Sequence, residues 1–372
     1  MGRETIMALS SADMALGRLG SAAKFLRDPN LFVRPYIARE AVASSRIEGT
    51  QASLSDVFQA AAAGSDSPSK NDDVQEVQNY IAALDKGLAL LDDLPPSQRL
   101  ISEIHRILMR GVRGRNKRPG EIRDIAVHIG STTDSPETAV FVPPLTNSLP
   151  ALLSDWENYL NESPRQPILI QCALMHYQFE TIHPFMDGNG RLGRLLIVLF
   201  LVHRGHLPAP LLYVSSYLEQ NRRDYYDRLQ GVRERGEIEE WIQFFLTAVT
   251  AQADDAVQRA EELFDLREKY RTELAGSRSR ATEVVDLLFE NPFMTATLVS
   301  QRLGITAQGA RNLMRGLEKK RWLEPLGNFG PGGRTIWVAL EIFGIINRSP
   351  VASTDEQTGG PQLTLASPPA PS

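Results

Sequence analysis

The chain has 372 residues, 42% hydrophobic and 23% charged, with a formal net charge of −5 and a single cysteine. Such a length is long enough for a large core and about two to three domains. The acidic balance argues against a bulk nucleic-acid binder, and lone Cys172 excludes an intramolecular disulfide and a cysteine metal cluster. No apolar run approaches the roughly 18 residues of a membrane span, and the N-terminus lacks the basic, apolar and small-residue order of a signal peptide. No membrane partner and a cytoplasmic location are therefore expected.

Residues 1–30 carry a short amphipathic pattern in Met14, Leu16 and Leu19. Pro35 suits a first helical turn, which predicts a helix over 35–48 that Gly49 ends. Glu48 then falls in the last turn, where the helix dipole disfavours a carboxylate by up to ~1 kcal/mol; Ser44 lies one turn earlier on the same face. A solvated surface glutamate is the plain alternative. Residues 60–73 read as a loop, and Asp72 or Asp73 caps a helix through Val77, Ile81, Leu84 and Leu88. Pro95-Pro96 breaks it, Ser97 opens another that ends at Gly111, and a basic turn follows over 113–118. From 122 to 144 the pattern becomes that of a hairpin, with strands at 125–129 and 139–142 around a polar turn at 130–137. Residues 145–160 are helical again.

The densest chemistry lies in His183-Pro184-Phe185-Met186-Asp187-Gly188-Asn189-Gly190-Arg191-Leu192-Gly193-Arg194. Before it, residues 168–182 have apolar residues at helical spacing behind Pro167. After it, the apolar run 195–202 predicts a buried helix that starts near Gly190 and is capped by Gly205. The twelve residues are then a loop between two buried helices, the second pointing its N-terminus into the loop. Gly188 and Gly190 let backbone amides turn towards an anion, and the helix N-terminus adds unpaired N–H groups and a favourable dipole. Arg191 and Arg194, three apart, are charge-assisted donors on one side of the first turn. Asp187 suits a hard cation such as Mg2+, and His183 has the near-neutral pKa of a general base. Two rivals stand beside this phosphate site: a bare glycine turn, and a metal site from His176, Glu180 and His183. Pro184 argues against the metal site, because a residue preceding proline is pushed out of helical geometry. His176 then reads as a hydrogen-bonded core histidine.

Downstream, Leu207-Pro208-Ala209-Pro210 is a connector. The helix over 221–229 carries adjacent Tyr225 and Tyr226, about 100° apart, so that one is core and the other faces a cleft. Long helices continue over 239–271. Residues 278–347 form a second unit: helices at 282–289 and 295–303, a Gly304-Ile305 turn, and a third helix capped by Thr306. Two strands, 322–325 and 335–338, flank a Gly/Pro loop. Nine Lys/Arg against five Asp/Glu between Arg278 and Arg334 give this unit a local charge of +4. Its third helix carries Gln308, Arg311, Asn312 and Arg315, residue types that contact phosphates and base edges. Residues 348–372, rich in Pro, Ser, Thr and Gly, have a disordered composition.

The twelve-residue stretch matches the HPFxDGNGRxxR motif, and the chain over roughly residues 30–345 resembles the Fic (filamentation induced by cAMP) family. Ser44-Ser45-Arg46-Ile47-Glu48-Gly49 is similar to the (S/T)xxxE(G/N) inhibitory motif of its class II members, and 278–347 resembles a winged helix-turn-helix. The complete glycine-asparagine loop is unlike the phosphorylating Doc-like branch. The implied fold is mostly α: a Fic-type helical core with a β-hairpin flap, plus a C-terminal winged helix. The domains are then an N-terminal helical region (1–95, inhibitory helix 35–48), a catalytic core (96–275), the winged helix (278–347) and the tail (348–372).

The resemblance implies a protein adenylyltransferase that moves AMP from ATP to a Ser, Thr or Tyr hydroxyl of a target protein, itself included. It makes His183 the base and gives Asp187 the Mg2+. Gly188, Asn189 (backbone and side chain) and Gly190 form the anion hole, with Arg191 for the β-phosphate and Arg194 for the γ-phosphate. Glu48, with Ser44, would inhibit by pairing with Arg194. Tyr226 would lie near the adenine; the paired asparagine of some relatives is not evident, and Arg233 falls near its place. The flap would pair with an extended target segment. Hydrolytic removal of AMP, duplex DNA as a partner of the winged helix, and a homodimer extend this reading. The alternative is a nucleotide-sensing, DNA-binding transcriptional regulator.

Overall fold

The structure, a computed structural model, describes residues 1–25, 29–64, 71–112, 116–130, 137–163, 165–276, 279–329 and 334–349. The expected tail beyond 349, the hairpin tip (131–136), the start of the basic turn (113–115) and the loop of the wing (330–333) lie outside the described residues.

Among the described residues, five helices precede the hairpin: α1 (Arg3–Phe25), α2 (Pro29–Ile47), α3 (Leu54–Ala63), α4 (Asp72–Leu90) and α5 (Gln98–Leu108). α1 is far longer than its short amphipathic pattern suggests. Ala12, Ala15, Leu16 and Leu19 are buried, whereas Met14 points outward. α2 begins at Pro29, so Pro35 sits inside it and does not open it. A proline there removes one backbone hydrogen bond, and the helix continues because Tyr36, Ile37, Ala41 and Val42 are anchored in the core. Glu48 lies one residue past the helix, in a turn closed by Glu48 N–H donating to Ser45 O (3.0 Å), with Gly49 at φ 97°. α3 occupies part of the expected 60–73 loop. Ser53 and Asp56 form a reciprocal capping box, and the alanine run that follows has the highest helix propensity.

The hairpin region forms less sheet than expected. Among the described residues, 125–129 and 139–142 share one antiparallel bridge, Ile129–Phe141, with hydrogen bonds of 2.8 and 3.1 Å. Ile125, Val140 and Val142 remain exposed, so no buried face drives longer pairing.

The region around residues 183–194 is built from α6 (Leu149–Asn161), α7 (Ile168–Ile182) and α8 (Asn189–His203). α9 (Ser215–Gln220), α10 (Arg222–Arg235) and the 36-residue α11 (Ile238–Glu273) follow. α1 lies along α11, tied at its edge by Arg18–Asp254 (2.6 Å). The last unit runs α12 (Ala281–Glu290), β1 (Phe293–Thr295), α13 (Ala296–Leu303), α14 (Ala307–Lys319), β2 (Glu324–Phe329), β3 (Arg334–Val338) and α15 (Leu340–Asn347). β3 is the central strand of an antiparallel sheet, order β1-β3-β2; the short β1 was not legible in the sequence. This unit packs directly on the N-terminal helices. Asn291 Nδ2 donates to Phe58 O (3.1 Å), Thr295 Oγ1 to Ala62 O (3.2 Å), and the Phe58 ring contacts those of Phe293 and Phe343. One hydrophobic core therefore runs from α1 to α15. Among the described residues, no helix is long and apolar enough to cross a membrane.

Candidate active site

α7 ends where Pro184 forbids its continuation. His183 takes left-handed geometry (φ 50°, ψ 61°) while its N–H still donates to Phe179 O (3.0 Å). This removes it from the face of His176 and Glu180, and no cluster of three metal-ligating side chains exists among the described residues. His176 is a core residue whose Nε2 meets Tyr225 Oη at 2.9 Å. Six residues after α7, Gly188 (φ 77°) turns the chain into α8, whose N-terminus faces the loop.

Arg194 is 1% exposed, and three acceptors from α2 and its turn surround it. Nε donates to Ser44 Oγ (2.9 Å), and Nη2 donates to Ser44 O (2.9 Å) and Glu48 Oε1 (2.8 Å). The structure thus joins two motifs 146 residues apart. Desolvation works to raise the Glu48 pKa, although its side chain is still 35% exposed, and the Arg194 guanidinium holds it below the usual carboxylate range. Burial likewise works against the Arg194 charge, and Glu48, with Tyr225, Tyr226 and Glu180, more than restores it. The Glu48 carboxylate also crowds the N-terminus of α8: a Cβ on Gly190 would come within 2.3 Å of Glu48 Oε1. Glycine is required there for the carboxylate to sit over the helix N-terminus, where an anion is favoured.

Arg191 is 4% exposed. Its Nη1 lies 3.6 Å from Glu76 Oε2 and its Nη2 3.9 Å from Asp187 Oδ1, yet among the described residues Nε and Nη1 have no hydrogen-bond partner. A buried guanidinium with unmet donors suits an incoming phosphate. Asp187 is part-exposed, and its Oδ1 accepts from Gly188 N (2.6 Å). One hard carboxylate of this kind fits Mg2+, which commonly takes one or two carboxylates and completes its shell with phosphate and water oxygens.

The Asn189 side chain, expected in the anion hole, is used elsewhere. Its Oδ1 accepts from Phe185 N and its Nδ2 donates to Phe185 O, both at 2.9 Å, so it clamps the loop. Only its backbone, at the start of α8, remains available to an anion. Tyr225 is buried and Tyr226 is 40% exposed, as the 100° rule requires. Arg233 is already engaged by protein partners. It lies 3.7 Å over the Phe141 ring and donates to Thr181 Oγ1 (3.3 Å), pinning the hairpin to the end of α7.

Several positioning residues escaped the sequence reading. Arg123, buried, donates Nε to His183 O (2.8 Å) and Nη2 to Pro144 O (2.7 Å), so one guanidinium ties the histidine backbone to the hairpin base. His105 Nδ1 accepts from Gly120 N (2.8 Å), which leaves the proton on Nε2 to donate to Asp187 O (2.8 Å). Its ring also stacks on Phe185, 3.9 Å between centroids. Nothing local marks these residues; their roles come from partners that the fold brings to them from other elements.

Burial pushes three imidazoles down from 6.5: His105 to about 4, His176 to about 3 and His183 to about 4. His183 is therefore neutral at pH 7. Below pH 6.5 the unfolded chain takes up protons that these sites refuse, so their stabilisation is lost as pH falls through about 4. Burial pushes Glu40 and Glu180 up from 4.5 to about 7; their contribution is full below 4.5 and lost as pH rises through about 7. Three groups oppose two, so the melting temperature should fall from pH 6.5 to 4, most steeply below about 4.5, where the glutamates no longer oppose. Calorimetric melting across that range checks this. A melting temperature that is constant or rises on acidification would contradict the burial of these histidines as neutral groups.

Residues 6–89 match the Fic/DOC family N-terminal region, and residues 95–201 match the Fic/DOC family. Together the matches span just over half of the chain, which belongs to the Fic/DOC family. It is 32% identical over 148 residues to a protein named protein adenylyltransferase Fic from Aedes aegypti, covering 39% of this chain and 26% of that one. The chain spans about a quarter of the length of the curated relatives it matches. Among solved structures, a Fic family protein from Desulfovibrio desulfuricans G20 superposes with a TM-score of 0.60 at 23% identity, covering 91% of this chain and 96% of the other. A Fic domain containing signaling protein from Bacteroides thetaiotaomicron gives 0.52 at 18% identity, over 66% and 97% of the two chains. At such identities the likeness concerns the fold.

Proposed function

We propose that this protein transfers AMP from ATP to a hydroxyl of a target protein and holds itself inactive through Glu48. The observation that carries the reading is Arg194, buried and enclosed by Ser44 and Glu48 at the N-terminus of α8. In the reaction, neutral His183 takes the proton of a Ser, Thr or Tyr hydroxyl, and the oxygen bonds to the α-phosphorus. The bond from that phosphorus to the bridging oxygen breaks, and pyrophosphate leaves. Amides at the start of α8 receive the phosphate oxygens, Arg191 the β-phosphate and Arg194 the γ-phosphate, with Tyr226 beside the adenine. Asp187 would hold Mg2+, which would supply neutralisation of phosphate charge. Catalysis of this kind rests on positioning and electrostatics. The exposed hairpin edge at Ile125, Val140 and Val142 suits strand addition by a target segment. Hydrolytic removal of AMP is the reverse use of the site, with Glu48 aligning a water. Incubation of the Glu48→Gly variant with α-labelled ATP and a cell lysate tests the assignment: labelled protein supports it, and the absence of any labelled protein overturns it.

A specific observation favours a second activity beside this one, duplex-DNA binding by the C-terminal unit read as a winged helix. Three other cations of the unit are paired: Arg280 with Glu283, Arg302 with Glu290 and Lys320 with Glu273. On the outer face of α14, Gln308, Arg311, Asn312, Arg315 and Lys319 are exposed at helical spacing, and among the described residues no carboxylate pairs with the three cations. Arg311→Ala with Arg315→Ala should weaken duplex binding and reduce its log–log salt slope by about 2, roughly one for each phosphate no longer neutralised. AMP transfer should be unchanged. Absence of duplex binding by the intact protein at ~50 mM salt, where screening is least, would leave this face to a protein partner. Duplex binding with no labelled protein would instead favour a nucleotide-sensing regulator.

A further inference from the structure

The turn that carries Glu48 is fastened to the nucleotide site a second time, through a buried carboxylate that touches neither Glu48 nor Arg194. Thr50, two residues after Glu48 and 2% exposed, donates its Oγ1 to Glu76 Oε2 at 2.7 Å. The same oxygen of Glu76, a buried residue of α4, lies 3.6 Å from Arg191 Nη1. Two further hydrogen bonds close the turn around Thr50. Its N–H donates to Ser45 O (3.2 Å), and Gln51 N–H donates to Asp73 Oδ2 of α4 (2.8 Å). One carboxylate oxygen therefore serves both the inhibitory turn and the arginine assigned to the β-phosphate.

The chemistry at Glu76 is asymmetric. Towards Thr50 it makes a short, buried, charge-assisted hydrogen bond, which fixes position. Towards Arg191 it contributes charge across 3.6 Å without a hydrogen bond, leaving Arg191 Nε and Nη1 unmet. We propose that Thr50 and Glu76 are positioning residues: the Thr50–Glu76 hydrogen bond seats the inhibitory turn so that Glu48 reaches Arg194, while Glu76 holds Arg191 facing the nucleotide. The claim rests on the autoinhibited reading above. It goes beyond it, because Thr50 lies outside the six-residue inhibitory motif and neither residue is assigned a contact with the nucleotide. Glu48 extends from a turn past the helix end, where few helical hydrogen bonds restrain it, and the Thr50 hydroxyl supplies that restraint from a rigid neighbouring helix.

The test compares wild type with Thr50→Val, Thr50→Ser, Glu48→Gly and the double variant Thr50→Val/Glu48→Gly. Labelled-AMP incorporation is read for each, with ATP and ADP affinities by calorimetry. Thr50→Val removes the hydroxyl, keeps the shape and leaves Glu76 paired with Arg191. It should raise incorporation roughly tenfold, the factor that a bond of about 1.4 kcal/mol carries. Its ATP affinity should move towards that of Glu48→Gly, and ADP affinity, which involves no γ-phosphate, should move far less. Thr50→Ser retains the donor and should behave as wild type. In the Glu48→Gly background Thr50→Val should add nothing, because no inhibitor remains to be seated. Where valine destabilises the chain, Thr50→Ala removes the same hydroxyl without filling its place. Thr50→Val equal to wild type, while Glu48→Gly is activated, would overturn this proposal alone. An equal gain from Thr50→Val with and without Glu48 would overturn it too, by removing the inhibitory turn as its route. An inactive Glu48→Gly would instead refute the autoinhibition on which it rests.

Discussion

Replacing Glu48 by glycine should raise self-AMPylation by about ten- to a hundredfold, the factor carried by roughly 1.5–3 kcal/mol for a hydrogen bond between charged groups. The reason lies in Arg194, whose Nη2 already holds Glu48 Oε1 at 2.8 Å. ATP must displace that carboxylate before its γ-phosphate can take the same donor, and the negative charge beside the α8 N-terminus repels the nucleotide meanwhile. The substitution removes the competitor and leaves His183, Asp187 and both arginines in place. Arg194→Ala combined with Glu48→Gly should return activity to a low level, because the γ-phosphate then lacks its partner. ADP binding should respond to Glu48 much less than ATP binding. Labelled-AMP incorporation in wild type, the two single variants and the double variant, with nucleotide affinities alongside, decides the matter; equal incorporation by wild type and Glu48→Gly would end the autoinhibition proposal.

The second large effect belongs to the base. In the Glu48→Gly background, His183→Ala should lower AMP transfer by about 10²- to 10⁴-fold, the usual contribution of a positioned general base. Nucleotide affinity should stay near its starting value, since the imidazole is assigned to the hydroxyl and not to the phosphates. The fold should survive, because His183 sits at a helix end and its backbone carbonyl is held by Arg123 whatever the side chain. Gel quantification of labelled protein and calorimetry with ATP separate the two properties. Undiminished transfer by the alanine variant would remove His183 from the mechanism; lost ATP binding would move its role to the nucleotide.

These assignments were unevenly legible in the sequence. The loop between two buried helices could be read because its causes are local. Pro184 ends α7, Gly188 supplies a left-handed turn, and an apolar run makes α8 a core helix. Thr306 and Gly304 likewise fix α14 and the turn before it through their own backbone chemistry. Pro35 misled for the complementary reason: proline favours a helix start, and core burial around it carried the helix through. The hairpin was legible as well, but it pairs through one bridge among the described residues, because exposed Ile125, Val140 and Val142 lack a face to cover them.

The sequence by itself determined which residues can do chemistry, since a histidine before proline, a glycine-flanked asparagine and two arginines three apart carry their reactivity and local geometry with them. It also placed Glu48 at a helix end where a carboxylate needs a partner. Only the tertiary structure decided what each group is given to hold. The Asn189 amide has the chemistry to serve an anion, but packing turned it back onto Phe185. Arg191 meets Glu76 and Arg194 meets Ser44 and Glu48, partners more than 100 residues away in the chain. The physical reason is range: backbone preference acts over a few residues, whereas the pairing of buried charges depends on which helices the core brings together.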